Sequence, residues 1–258
     1  MSDLRVALVQ LCSEKGNIAG NLARHGAEIE MAVARGIDLI VFPEMSITGY
    51  IDPARWPDAI LSLDSPEIAR FLALTRGSGL TAIAGLVEAR PGQKPYITQI
   101  VAADGVLVAV YRKRHVVEDE EDWFSAGPPQ PTVFPVGDVR IGVAVCADID
   151  NPVVYRDCAA AGAQVIVHAS APGLYGEQAT RSWESGHAWW RNECMTKDAT
   201  HARTNGVYVV AATAAGRTVD EDFPGGGFAF APDGACLAAT ADWSAGVLDV
   251  VIPVSPRS

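Results

Sequence analysis

Several things are scarce in this 258-residue chain, and each scarcity excludes something. Cysteine is limited to five residues, at 12, 146, 158, 194 and 236, an odd number without a CxxC pair. That argues against a disulfide framework and a zinc knuckle, and it fits a reducing cytoplasm. Basic residues are outnumbered, 20 against 31 acidic, for a net charge of −11. With no basic stripe to override it, this charge repels nucleic-acid phosphates and anionic membrane surfaces. Apolar runs are only strand-sized, so none is expected to span a bilayer. The start, Met1-Ser2-Asp3-Leu4-Arg5, lacks the charged, apolar and cleavage regions of a signal peptide. Lysine is rare as well: Lys15, Lys94, Lys113 and Lys197 are the candidates for a functional ammonium.

What remains is a globular composition, 49% apolar and 20% charged, with no linker, low-complexity tract or short-period repeat. Short apolar runs predict strands over 4–11, 38–42, 80–87, 96–103, 106–112, 132–136, 139–145, 164–168, 207–212, 228–231, 235–239 and 246–252. Helix periodicity with capping signals predicts helices over 21–35, 65–76, 152–161 and, longest, 182–205. Ala103-Asp104-Gly105 and Pro232-Asp233-Gly234 read as hairpin turns. The alternation of strands and helices predicts one α/β domain over residues 1–258, with helices packed outside a mixed sheet system.

Three polar residues follow strands: Glu44, Lys113 and Cys146. Ligands of α/β sheets bind beyond the carboxyl ends of strands. If the three strands are aligned neighbours, a base, an oxyanion stabiliser and a nucleophile share one pocket. Taken singly, each has a plainer reading: a solvated turn glutamate, a surface lysine between Arg112 and Arg114, an inert core cysteine.

The surrounding residues resemble the nitrilase, or carbon–nitrogen hydrolase, superfamily. The similarity runs through Ala7-x-x-Gln10, Gly16-Asn17 and Asn21-Leu22 to the segment from Gly36 through Pro43-Glu44 and Thr48-Gly49-Tyr50. It continues in Tyr111-Arg112-Lys113-x-His115, in Phe124 and Gly127, and in Gly142-x-x-x-Cys146-x-Asp148 with Pro152 and Arg156. Asn205-Gly206-Val207-Tyr208 and Gly226-Gly227 complete it. The resemblance implies a four-layer α-β-β-α sandwich, assembled into homodimers or larger homo-oligomers through its outer helices. It implies cleavage of a non-peptide C–N bond through a thioester on Cys146, with Glu44 as base and with Lys113 and the Ala147 N–H holding the oxyanion. No cofactor or metal is implied. A second carboxylate is expected in the acidic run 118–122; counting back from Phe124 and Gly127 selects Glu120, with Glu121 the alternate.

Other residues receive plainer roles. His115 is read as packing, and His168, His187 and His201 lack metal-site spacing. Cys12, Cys158, Cys194 and Cys236 are read as small core residues. Trp183, Trp189 and Trp190 are expected in the core or a subunit contact, although one could line the pocket. Ala147, Val153 and Thr204 depart from the family pattern, which leaves the pocket and the subunit interface open. The leading reading is an amidohydrolase acting on a small carboxamide or N-carbamoyl compound. Cys146-Ala147-Asp148 looks more like the amidase and carbamoylase branches than the nitrilase branch, which is the alternative. An idle binding or assembly protein of the same fold would not need a lysine beside a thiol, and a thiol-redox protein would want a resolving cysteine nearby.

Overall fold

A computed structural model describes residues 2–254. In chain order its elements are β1 (Ser2–Gln10), α1 (Ile18–Ala34), β2 (Leu39–Val41), α2 (Pro66–Ala73), β3 (Thr81–Glu88), β4 (Tyr96–Ala103) and β5 (Val106–Arg112). Then come α3 (Glu118–Glu121), β6 (Val133–Val136), β7 (Val139–Val145), α4 (Pro152–Ala160), β8 (Val165–Ser170), α5 (Trp183–Glu193) and α6 (Ala199–Asn205). The chain continues through β9 (Tyr208–Thr213), β10 (Ala215–Arg217), β11 (Asp222–Pro224), β12 (Gly227–Phe230), β13 (Cys236–Ala239) and β14 (Gly246–Val254).

Two six-stranded sheets form, ordered β14-β1-β2-β3-β4-β5 and β13-β12-β9-β8-β7-β6, beside a small β10-β11 hairpin. Each has a parallel centre, β1-β2-β3 in one and β7-β8-β9 in the other, with antiparallel strands added outward. Strand periodicity sorts the side chains into layers. On β1, Leu4, Val6 and Leu8 join the core between the sheets, whereas Ala7 and Val9 meet Leu22 and Ile29 of α1. Val154, Tyr155 and Cys158 of α4 are buried beneath the second sheet. The result is the expected α-β-β-α sandwich in one domain.

Local chemistry sets the helix starts. The Asn17 side chain accepts from the Gly20 N–H ahead of α1, and Ser65 caps α2 with Pro66 at the first helical position. The expected helix over 182–205 forms but is interrupted: Cys194–Asp198 is a π-helical turn between α5 and α6. One small expectation fails. Cys236 is exposed on the edge strand β13 and Cys12 is only half-buried, so neither is a core residue, whereas Cys158 and Cys194 are buried. Among the described residues, no helix is long and apolar enough to cross a membrane.

Candidate active site

The three chemistry-bearing strands are not neighbours in one sheet. β2 and β5 belong to the first sheet with β3 and β4 between them, and β7 belongs to the second. Glu44, Lys113 and Cys146 converge because the sheets face each other and the three chains leave them at the same end of the sandwich.

Two glycines permit the approach. A Cβ on Gly85 of β3 would stand 2.2 Å from the Met45 N–H nitrogen, so only glycine lets the Glu44–Met45 backbone cross that strand. A Cβ on Gly127 would stand 2.2 Å from the Arg112 carbonyl oxygen; its N–H donates to the Lys113 carbonyl at 2.7 Å and pins the lysine's backbone.

Lys113 is 1% exposed and is the hub of the site. Its Nζ donates to Glu44 Oε1 at 3.0 Å and to Glu120 Oε1 and Oε2 at 2.9 and 2.7 Å. Glu44 Oε2 also accepts from the Ala171 N–H at 3.0 Å, and the Cys146 thiol lies near enough to the same carboxyl for each to act on the other's proton affinity. Glu120 accepts the Tyr50 hydroxyl at 2.7 Å and is buried. Glu121 instead offers its carbonyl to Lys94 and is exposed, so it is Glu120 that meets the lysine. The run 118–122, whose bland reading is a solvated loop, supplies this residue from the one-turn helix α3.

Cys146 begins a 3-10 turn, Cys146–Asp150, with φ of +45°, a strained backbone for a non-glycine residue. Asp148 stabilises that turn. Its carboxylate accepts from the Val145 N–H at 2.9 Å, the His115 N–H at 2.8 Å and the Tyr111 hydroxyl at 2.6 Å. One buried side chain thus ties the cysteine turn of one sheet to the lysine segment of the other.

Burial dominates the electrostatics. It pushes the Glu44 carboxyl up; Lys113 opposes this and Glu120 adds to it. Burial and then Glu44 push the Cys146 thiol well up, so the resting sulfur is a thiol beside a carboxylate. Burial works against the Lys113 charge, yet Glu44, Cys146 and Glu120 outweigh it and hold the ammonium above its ordinary value.

Lys113, Glu120, Cys146 and Ala147 line a cavity of about 800 Å³. Trp123, Trp189 and Trp190 form part of its wall, so two members of the tryptophan group reach the pocket. Among the described residues, no three His, Cys, Asp or Glu side chains converge as a metal site would require.

The carbon–nitrogen hydrolase family model matches residues 5–256. The chain belongs to the carbon–nitrogen hydrolase family. An (R)-stereoselective amidase of a Pseudomonas species is 30% identical over 164 residues, 64% of this chain and 59% of that protein. A nitrilase of Pyrococcus abyssi is 30% identical over 168 residues, 64% of each chain. A glutamine-dependent NAD(+) synthetase of Thermotoga maritima is 34% identical over 162 residues, 59% of this chain and 27% of the synthetase. These matches thus span from about a quarter to under two thirds of the curated relatives' lengths. Among solved structures, an amidase from Nesterenkonia sp. superposes with a TM-score of 0.79 at 24% identity, covering 97% of this chain and 90% of that one. This likeness establishes a shared fold.

Several neighbours of the site were not visible in the sequence. The Ala171 donor is a backbone N–H, which carries no residue signature. Tyr50 stood in the Thr48-Gly49-Tyr50 motif without an assigned role. His168, read only as lacking metal-site spacing, lies 2.9 Å from Asp198, thirty residues away.

Proposed function

We propose that this carbon–nitrogen hydrolase is a cysteine amidohydrolase that cleaves a small carboxamide or N-carbamoyl compound through a thioester. The observation that carries the reading is the single Lys113 ammonium bound to both Glu44 and Glu120, with the Cys146 thiol beside them at one cavity. In this reading Glu44 removes the thiol proton as sulfur attacks the carbonyl carbon. General acid–base help of this kind is worth about 10²–10⁴-fold, and burial raises Glu44 toward the neutral range where such a base works best. The developing oxyanion is held by Lys113 and the Ala147 N–H, each such donor contributing roughly 2.7–4 kcal/mol. Glu44 then passes its proton to the leaving nitrogen, and ammonia or an amine departs. Water, deprotonated by Glu44, cleaves the thioester and returns the thiol, so amide and water yield acid and amine. Glu120, anchored by Tyr50, fixes the ammonium and leaves Glu44 free to exchange protons.

The relatives named amidase and the relative named nitrilase make the competing substrate a nitrile. Ammonia release from matched nitrile and amide pairs tests this: faster amide turnover is expected, and faster nitrile turnover across several pairs would reverse the assignment. We further infer at least a two-fold dimer through α4 and the 183–205 helices. Trp189 is 39% exposed in the single chain, which supports this. A monomer in light scattering at micromolar concentration would refute it. Five unpaired cysteines fit a reducing, cytoplasmic setting.

A further inference from the structure

Behind the Cys146 turn lies a second cluster that the chemistry above leaves unused. His168, on β8, is fully buried. Its Nδ1 stands 2.9 Å from Asp198 Oδ2, and its Nε2 stands 3.0 Å from the carbonyl oxygen of Cys146. Asp198 reaches it because the π-helical turn Cys194–Asp198 shifts the helix register at that point, a distortion common at functional sites.

The partners fix the protons. A carbonyl only accepts, so Nε2 carries a hydrogen; otherwise its lone pair would face the oxygen at 3.0 Å. Asp198 also accepts the Tyr155 hydroxyl at 3.1 Å, so its carboxylate acts as an acceptor here and Nδ1 carries a hydrogen as well. Ser170 Oγ, 2.9 Å from Nε2, suits either role. The ring is then an imidazolium wedged between a carboxylate and the nucleophile's carbonyl.

That carbonyl belongs to the same peptide unit as the Ala147 N–H. We propose that His168 and Asp198 form a positioning pair for the oxyanion donor: the imidazolium holds and polarises the Cys146–Ala147 peptide, sharpening the N–H that faces the substrate. This rests on the nucleophile reading above. A hydrogen bond at one end of a peptide strengthens the bond at its other end by about 10–30%. A donor worth about 10²–10³-fold in kcat therefore gains on the order of 2- to 8-fold from the pair. Burial works to lower the histidine's proton affinity, but Asp198 and, further off, Asp148 raise it overall. The other titratable groups packed around the ring are Cys146, Tyr155, Cys194 and His201.

The direct test needs no catalysis, so its failure is separable from failure of the amidohydrolase reading. In protein with ¹⁵N-labelled histidine, the resonance missing from His168→Gln should show both ring nitrogens protonated from pH 6 to 8. A neutral tautomer at pH 7 would overturn the proposal. If His168→Gln does not fold, His168 is instead assigned by its correlation to the Asp198→Asn change. With butyramide as probe, Asp198→Asn should lower kcat about 2- to 8-fold at pH 8 with KM unchanged. The ratio to wild type should recover toward pH 5, where His168 recharges without its carboxylate. A loss equal at both pH values, or one confined to KM, would make the pair mere packing.

Discussion

Replacing Lys113 by methionine removes the ammonium that Glu44 and Glu120 share, with little change in side-chain length. The lysine and its two partners are 1%, 0% and 4% exposed, so solvent does not screen what is left. Breaking a buried ion pair by deleting one partner costs about 3–5 kcal/mol, because the remaining charge is uncompensated. At about 2–4 °C per kcal/mol for a chain near this size, the melting temperature should fall by roughly 6–20 °C at pH 8. The loss should also depend on pH. Without the cation, nothing opposes the burial that already raises the Glu44 carboxyl above the unfolded value of about 4.3. An acid raised on folding binds more protons in the folded state, so stability falls as pH rises through the raised value and is regained toward the unfolded one. Thermal unfolding of Lys113→Met and wild type at pH 5 and pH 8 should therefore show a markedly smaller gap at pH 5. Equal destabilisation at both pH values, or none, would refute the shared-cation account of the site.

Three further outcomes follow from the same geometry. The acid limb of kcat/KM should lie above the ordinary glutamate value of about 4.3, because burial raises Glu44 and activity is lost as pH falls through that raised value; a pH–rate profile checks it. Lys113→Arg should lose nearly as much turnover as Lys113→Ala, since a planar guanidinium cannot occupy the position from which Nζ reaches Glu44 and Glu120 together; steady-state kinetics decide. Gly127→Ala should destabilise by at least about 1–3 kcal/mol in denaturant titrations, because its Cβ would collide with the Arg112 carbonyl.

How much of this was readable beforehand depended on the kind of information required. β4, β5 and β7 appear with the expected bounds, since each is an apolar run closed by clear turn or polar signals. Glu120 could be chosen over Glu121 by counting from Phe124 and Gly127, because a one-turn helix fixes the offset to Lys113. The way the site assembles was not readable. Glu44 and Lys113 come from one sheet and Cys146 from the other, and strand patterning does not say which sheets face each other. Nor was the Asp198 contact with His168, since a regular 182–205 helix would present a different register and only the π turn brings that carboxylate inward. Asp148 falls between these cases. It was visible in Cys146-Ala147-Asp148 as a motif, but its task of joining the two sheets required the Tyr111 and His115 contacts.

The central claim is that Cys146 carries the acyl group. Glu44→Gln keeps the shape of the site while slowing the water attack that Glu44 is proposed to assist. Intact-mass and peptide mass spectrometry of this variant, after exposure to a panel of small amides, N-carbamoyl compounds and nitriles, measures the claim directly. The account predicts an acyl adduct on the peptide containing Cys146, absent from Cys146→Ala, with the added mass naming the substrate class. An adduct on Cys12, Cys158, Cys194 or Cys236 instead, or undiminished turnover by Cys146→Ala, would contradict it.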